Sequence, residues 1–403
     1  MASGEVAIGN FQSQLFLLRK RLAPINQKYA SAPRVSLDLP GALVTTAQGQ
    51  HWEIEEQYAQ HGNVDTAHLS RLPAHLLNAI SNGAIPDVPP ERWAFLDTET
   101  TGLAGGTGTV AFLVGVGRIT PAGFSVRQFF MRDFGEEASQ LTALAEHLSH
   151  FDVLVTYNGK SFDAPLLETR YRMTRTPHPL ARLEHVDLLH GARRLWKLRF
   201  ESCRLVELEQ RVLGYTRVGD VPGEMIPQLY YDFVKRPRPA LLAPVFEHNR
   251  LDIVSLACLT AIVPRAFHEP HEIELNSGQE LIGLGRWLVA AERFDDGLAL
   301  MRRGVDYAIP DDLMFKTLWE IAVTEKKLGR GPGGFANLAQ SENPYRAMAL
   351  EELAIHYEHR EKNLAMALEF TEAARQAKSS SPTIARRRER LSRKLALAQR
   401  RLL

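Results

Sequence analysis

Residues 93–99 constrain this chain more than any other stretch. Trp93-Ala94-Phe95-Leu96 runs directly into Asp97-Thr98-Glu99, and Gly102 follows. An apolar run of this length predicts a buried β-strand, and the strand's period of two puts Asp97 and Glu99 on one face at its end. Two carboxylates so placed repel each other unless a cation or a shared proton lies between them. The end of the strand is therefore either a solvated terminus or a place built to hold positive charge.

The surrounding pattern bears on that choice. After a Gly-rich connection, Gly102–Gly108, come the apolar run Val110–Val116, a Thr120-Pro121-Ala122-Gly123 turn and Phe124–Phe130. Three strands joined by short connections predict an antiparallel meander. A helix over Glu136–Ser149, a strand over Asp152–Tyr157 and a helix over Ser161–Tyr171 follow. A short strand is expected at His185–Leu188, with helical segments near Gly191–Lys197 and Arg204–Leu213. Pro222, Pro227, Pro237 and Pro239 predict a long irregular connection before an apolar helix over Leu241–Ile262. Neither Gly-rich stretch is a nucleotide loop. Gly102–Gly108 leads into a strand where a dinucleotide fingerprint needs a helix, and Gly159-Lys160-Ser161 lacks the earlier P-loop glycine because Leu154 stands there.

Two further acidic positions stand out. Asp163 closes Tyr157-Asn158-Gly159-Lys160-Ser161-Phe162-Asp163, where a helix opens, and a carboxylate is also a routine residue of a first helical turn. His248 and Asp252 stand four apart in an apolar helix, hence on one face. They are either a core pair that satisfies itself or part of a site.

Taken together, Asp97, Glu99, Asp163, Asp252 and His248 resemble the DEDD superfamily of 3′–5′ exonucleases, with D-x-E, N-x3-F-D and His-x3-Asp in that family's order. The wording of the first two blocks looks closest to the YprB-like branch, and it also resembles the proofreading domains of family B DNA polymerases. The resemblance covers about Glu91–Arg265. It implies a ribonuclease H-like α/β fold: a three-strand antiparallel meander plus parallel strands, with helices on both faces. It also implies two divalent ions, Mg²⁺ or Mn²⁺, held by Asp97, Glu99, Asp163 and Asp252. Oxygen-only ligands suit those ions. By the same resemblance Thr101, Leu103, Asn158 and Lys160 would line the groove for the terminal nucleotide. His248 stands where the Tyr of the DEDDy branch would be, so it is expected to take a proton from water, only to orient it, or to be a catalytically weak replacement for that Tyr.

Beyond Pro270 the chain is Ala/Leu-rich. Leu281-x2-Leu284-Gly285-x2-Leu288 resembles the first helix of a tetratricopeptide repeat, with Ala291–Phe294, Glu325–Leu328 and Arg360–Asn363 at corresponding places. The expected organisation is a partly irregular region 1–90 without assigned function, a DEDD exonuclease domain 91–268, and an all-α TPR-like domain 269–403 with a basic tail. Phe11–Leu22 reads as a short amphipathic helix and His51–Glu55 as a strand.

Composition narrows the functional classes. Only Cys203 and Cys258 occur, without a CxxC motif, which argues against a disulfide scaffold or a Cys-based zinc site and fits a reducing cytoplasm. The first 30 residues carry no signal-peptide pattern, and no apolar run of about 18 residues is evident, so no membrane partner is expected. Net charge is +1, but Arg170–Arg217 holds eleven Lys/Arg against five acids, and Ile384–Leu403 holds eight against one. Either is a candidate phosphate-binding surface. The expected activity is hydrolysis at single-stranded DNA or RNA ends, with the repeat region open to a protein partner. The alternatives are an inactive RNase H-like scaffold and a structure-specific endonuclease on the same fold.

Overall fold

The computed structural model describes residues 40–81, 85–102, 108–377 and 382–400. The expected helix at Phe11–Leu22, groove residue Leu103 and glycines Gly105 and Gly106 lie outside the described residues. Two compact units divide the chain: one takes in the residues up to Ala192 and Ser202–His268, the other Arg193–Glu201 and the residues from Glu269 onward.

The first unit is built on a seven-stranded mixed sheet. Its strands are β1 (Ala42–Thr46), β2 (Gly49–Tyr58), β3 (Trp93–Thr100), β4 (Ala111–Thr120), β5 (Gly123–Phe130), β6 (Val153–Thr156) and β7 (Glu184–Asp187), in the order β1-β2-β5-β4-β3-β6-β7. β3, β4 and β5 form the meander, and β3 pairs in parallel with β6, as β6 does with β7. The expected strand at His51–Glu55 belongs to β2, which pairs antiparallel with β5 and carries β1 on its outer edge. Residues 42–58 therefore extend the sheet.

Alternation along β3 sorts the core into two layers. Ala94 and Leu96 pack with Leu141, Leu144 and Leu148 of helix α1 (Glu137–Leu148) and with Leu167 and Tyr171 of α2 (Asp163–Thr174). On the opposite face, Phe112 and Phe130 pack with Ile226, Tyr230 and Phe233 of α4 (Ile226–Lys235) and with Val245 and Phe246 of α5 (Ala243–His268). Between the two pairs in sequence lies α3 (Leu188–Trp196). Helix α4 corrects the expected irregular connection. Pro227 sits in its first turn, where a missing N–H costs no helical hydrogen bond, so the proline starts the helix rather than breaking it.

Pro239–His268 is long and apolar enough, by length and composition alone, to cross a membrane, which the sequence reading did not anticipate. In the fold its apolar residues Val245, Phe246, Ile253, Val254, Leu256 and Leu259 are buried against the sheet unit.

The second unit is helical. Helices α6 (Gly278–Ala290) and α7 (Phe294–Val305), α8 (Asp311–Lys327) and α9 (Gly333–Ala339), and α10 (Arg346–His359) and α11 (Leu364–Gln376) succeed one another as hairpins, and α12 (Pro382–Arg400) follows. The three hairpin turns each contain a residue in the left-handed region: Glu292, Gly329 and Lys362. One face of the basic tail is docked within this unit, because Arg387, Arg390 and Lys394 of α12 all pair with the buried Glu358.

Part of the basic run Arg170–Arg217 is engaged in internal pairs. Arg170 forks onto Glu137, Arg182 donates to the carbonyls of Leu148 and Phe151, Arg199 pairs with Glu280, and Arg217 is nearly buried on Glu209. The other seven basic residues of the run, Arg172, Arg175, Arg193, Arg194, Lys197, Arg204 and Arg211, are exposed.

Candidate carboxylate site

The site lies at the C-terminal end of β3. Asp97 and Glu99 share the face turned toward α5, as period two requires. Between Glu99 and Thr100 the ladder shifts register, so Glu99 pairs with Leu113 and Thr100 with Ala111. Bulges of this kind re-aim side chains at strand ends. Opposite Asp97 in the ladder stands Gly115, and opposite Phe95 stands Gly117. A Cβ on Gly115 would lie 2.2 Å from Ile253 Cδ1 and 2.3 Å from Asn249 Oδ1. Lacking side chains here, β4 lets α5 come close.

That approach brings in Asn249, a residue the sequence reading passed over. It is wholly buried, and its Nδ2 donates to Asp97 Oδ2 at 2.8 Å and to the Asp97 carbonyl at 3.3 Å. Gln128 Nε2 in turn donates to Asn249 Oδ1 at 2.8 Å, which fixes the amide's orientation. The same argument that marked Asp252, a polar side chain inside an apolar helix, would have found Asn249.

Asp163 comes from the other layer, at the first turn of α2, where Thr98 Oγ1 donates to its Oδ1 at 2.5 Å. The backbone reverses before it through Asn158 at φ 68°, a conformation Asn tolerates better than most residues. Asp187 at the end of β7 stabilises that reversal by accepting from the N–H groups of Asn158 (2.8 Å), Lys160 (3.1 Å) and Leu189 (3.1 Å). Lys160 is exposed, and so is Phe162, 59% accessible and next to Asp163 in the chain. Thr101 departs from expectation: it is buried, and its hydroxyl accepts from the Val110 N–H at 3.0 Å. Its side chain is tied to the backbone of Val110 rather than lining a groove.

Electrostatics tie these acids together. Burial pushes the Asp97 carboxyl well above the usual range, and Asp252 and Asp163 push it further, against the opposing bond from Asn249. Glu99 is raised for the same first reason, with Asp97, Asp252, Asp163 and Asp220 adding to it. Burial also raises Asp163, to about 6, against its bond from Thr98. Asp163 and Asp252 are thus near enough to raise the carboxyls of Asp97 and Glu99. Among the described residues, however, no three His, Cys, Asp or Glu side chains converge at the spacing that encloses a metal ion. The donor set fits a hard divalent cation in type and in charge, being all oxygen and mutually repelling.

His248 and Asp252 are not a self-satisfied pair. His248 Nε2 lies 3.8 Å from Asp252 Oδ2, beyond hydrogen-bond length, while its Nδ1 lies 2.8 Å from Asp220 Oδ1. A carboxylate partner makes Nδ1 the protonated nitrogen, so in the neutral ring Nε2 faces the cluster with a lone pair. Asp252 Oδ1 accepts from Arg217 Nη2 at 2.5 Å. Arg217 and Asp220 come from the 214–222 segment, where no local pattern marks them.

A family model described as RNase_H superfamily matches residues 94–263, the span that carries all five expected catalytic residues. The chain is also 34% identical over 284 residues to the protein described as "Uncharacterized protein YprB" of Bacillus subtilis (strain 168), covering 69% of this chain and 68% of that protein.

Proposed function

The chain belongs to the family of YprB and carries an RNase H superfamily domain, and on that premise we propose that it is a metal-dependent 3′–5′ exonuclease acting on single-stranded nucleic-acid ends. The observation that carries this reading is the gathering of Asp97, Glu99, Asp163 and Asp252 at one strand end, where burial, with the neighbouring acids adding to it, raises the first two well above the carboxylate range. Those four residues would hold two Mg²⁺ or Mn²⁺ ions. Such ions supply charge neutralisation at a phosphodiester and a water of lowered pKa.

The chain's own residues account for the rest of the chemistry. Asn249 fixes Asp97 so that its second oxygen turns toward the cluster. Asp220 holds His248 by Nδ1 and leaves Nε2 to take a proton from the attacking water. Lys160 would meet the terminal phosphates, and Asn158 and Leu103 would border the same groove. Phe162 offers an exposed ring on which a terminal base can stack. The three hairpins and their recurrent left-handed turns support a TPR-like repeat domain over 269–403, a surface suited to a protein partner.

The test is degradation of end-labelled DNA and RNA oligonucleotides with Mg²⁺ or Mn²⁺. Wild type is expected to shorten them from the 3′ end and leave covalently closed circles intact, while Asp97→Asn loses roughly a hundredfold or more. Equal activity in both proteins, or none in either on any substrate, overturns the proposal. Cleavage of circles replaces it with an endonuclease.

A further inference from the structure

A buried guanidinium touches the carboxylate cluster at Asp252. Arg217 is 3% accessible, and its donors are shared among three carboxylates. Nε and Nη2 fork onto Glu209 at 2.8 and 2.7 Å, Nη2 also donates to Asp252 Oδ1 at 2.5 Å, and Nη1 reaches Asp220 Oδ2 at 3.3 Å. Glu209 is itself pinned, accepting from the Ser255 hydroxyl, which lies 2.8 Å from His61 Nε2. The guanidinium cannot shed its proton, and it cannot turn away without abandoning a buried, bidentate partner.

We infer that Arg217 is the resident counter-ion of the cluster, a positioning residue that occupies one oxygen of Asp252 and opposes the binding of a divalent cation there. The inference rests on the metal-centre reading above. Its first consequence is geometric. With Oδ1 engaged by Arg217, Asp252 has only Oδ2, the oxygen facing His248, left to offer another ligand. Its second consequence is electrostatic. A fixed positive charge touching Asp252 repels a second cation at short range in a poorly screened pocket. The same charge keeps the cluster folded while no ion is bound. A divalent ion and Arg217 are therefore alternative means of neutralising the same acids, and they are linked thermodynamically.

The experiment is calorimetric titration of the full chain with Mn²⁺, alongside thermal melts with and without Mn²⁺, for wild type, Arg217→Gln and Arg217→Lys. Arg217→Gln is expected to bind Mn²⁺ about tenfold or more tightly than wild type. It should melt lower than wild type without the ion and gain more from adding it. Arg217→Lys keeps the charge and should stay within about threefold of wild type. If Arg217→Gln does not fold, Glu209→Gln/Arg217→Gln removes both buried charges together and is expected to show the same tightening. Unchanged or weaker Mn²⁺ affinity in the foldable variant overturns the inference while leaving the metal centre standing. Absence of Mn²⁺ binding in wild type and variants alike removes the metal centre, and this inference with it.

Discussion

At the scale of single residues, the site divides into positions whose role follows from local pattern and positions whose role does not. Asp97 and Glu99 were legible because a strand's alternation is enough to pair them. Asp163 was legible from the wording of its block. Arg217 and Asp220 were not, because each acts on a partner tens of positions away and sits in a stretch with neither helical nor strand periodicity; Glu209, inside the expected helical segment Arg204–Leu213, was not, because its partner Ser255 lies 46 positions away. The surplus of arginines there holds two kinds of residue that composition does not separate: Arg170 and Arg217 are buried on acids, while Arg175, Arg193 and Arg204 are exposed. Phe162 supplies a prediction at this scale. If its exposed ring stacks on a terminal base, Phe162→Ala should raise KM by roughly five- to a hundredfold and leave kcat near wild type, since stacking contributes about 1–3 kcal/mol to ground state and transition state alike. Steady-state kinetics on an end-labelled oligonucleotide measure the split, and a fall in kcat with KM unchanged would sink the stacking role.

Between elements, the decisive packing is that of α5 on β4. Asn249 and Asp252 both ride on α5, so their distance from Asp97 is governed by how closely that helix lies on the sheet. Gly115→Ala places a methyl group against Ile253 and Asn249 at distances no real contact shows. We expect it to cost about 1–3 kcal/mol of stability as overpacking, read by denaturant unfolding, and to reduce nuclease activity more than the lost stability explains. A Gly115→Ala protein with native stability and full activity would show that the contact yields freely. Helix α5 is legible in its apolar residues, whereas α4 is not, since four prolines in eighteen residues look like a loop until one is seen to open a helix. Residues 1–90 read as separate, although β1 and β2 hydrogen-bond into the sheet. A strand at a sheet's edge carries too little hydrophobic alternation to announce its partner.

Over the whole molecule, acid stability should report the buried network around Glu209. Burial alone would raise that carboxyl, but its bonds from Arg217, His61 and Ser255 prevail and hold it at about 2. A carboxyl lowered on folding contributes stability that is present above its unfolded pKa of 4.5 and lost as pH falls toward 2. Glu209→Gln should therefore lose about 3–5 kcal/mol at neutral pH, because Arg217 is left buried without its main partner, and its stability should fall less steeply than wild type between pH 4.5 and 2. Chemical denaturation across that range decides it; parallel pH curves for the two proteins would contradict the assignment. A last consequence follows from where the acids originate. Asp163 is delivered by a helix on one side of the sheet and Asp252 by a helix on the other, so any ligand grasping both works like a rivet driven through three layers. Occupancy should then slow backbone amide exchange in α2 and α5 together, although those two helices cover opposite faces of β3.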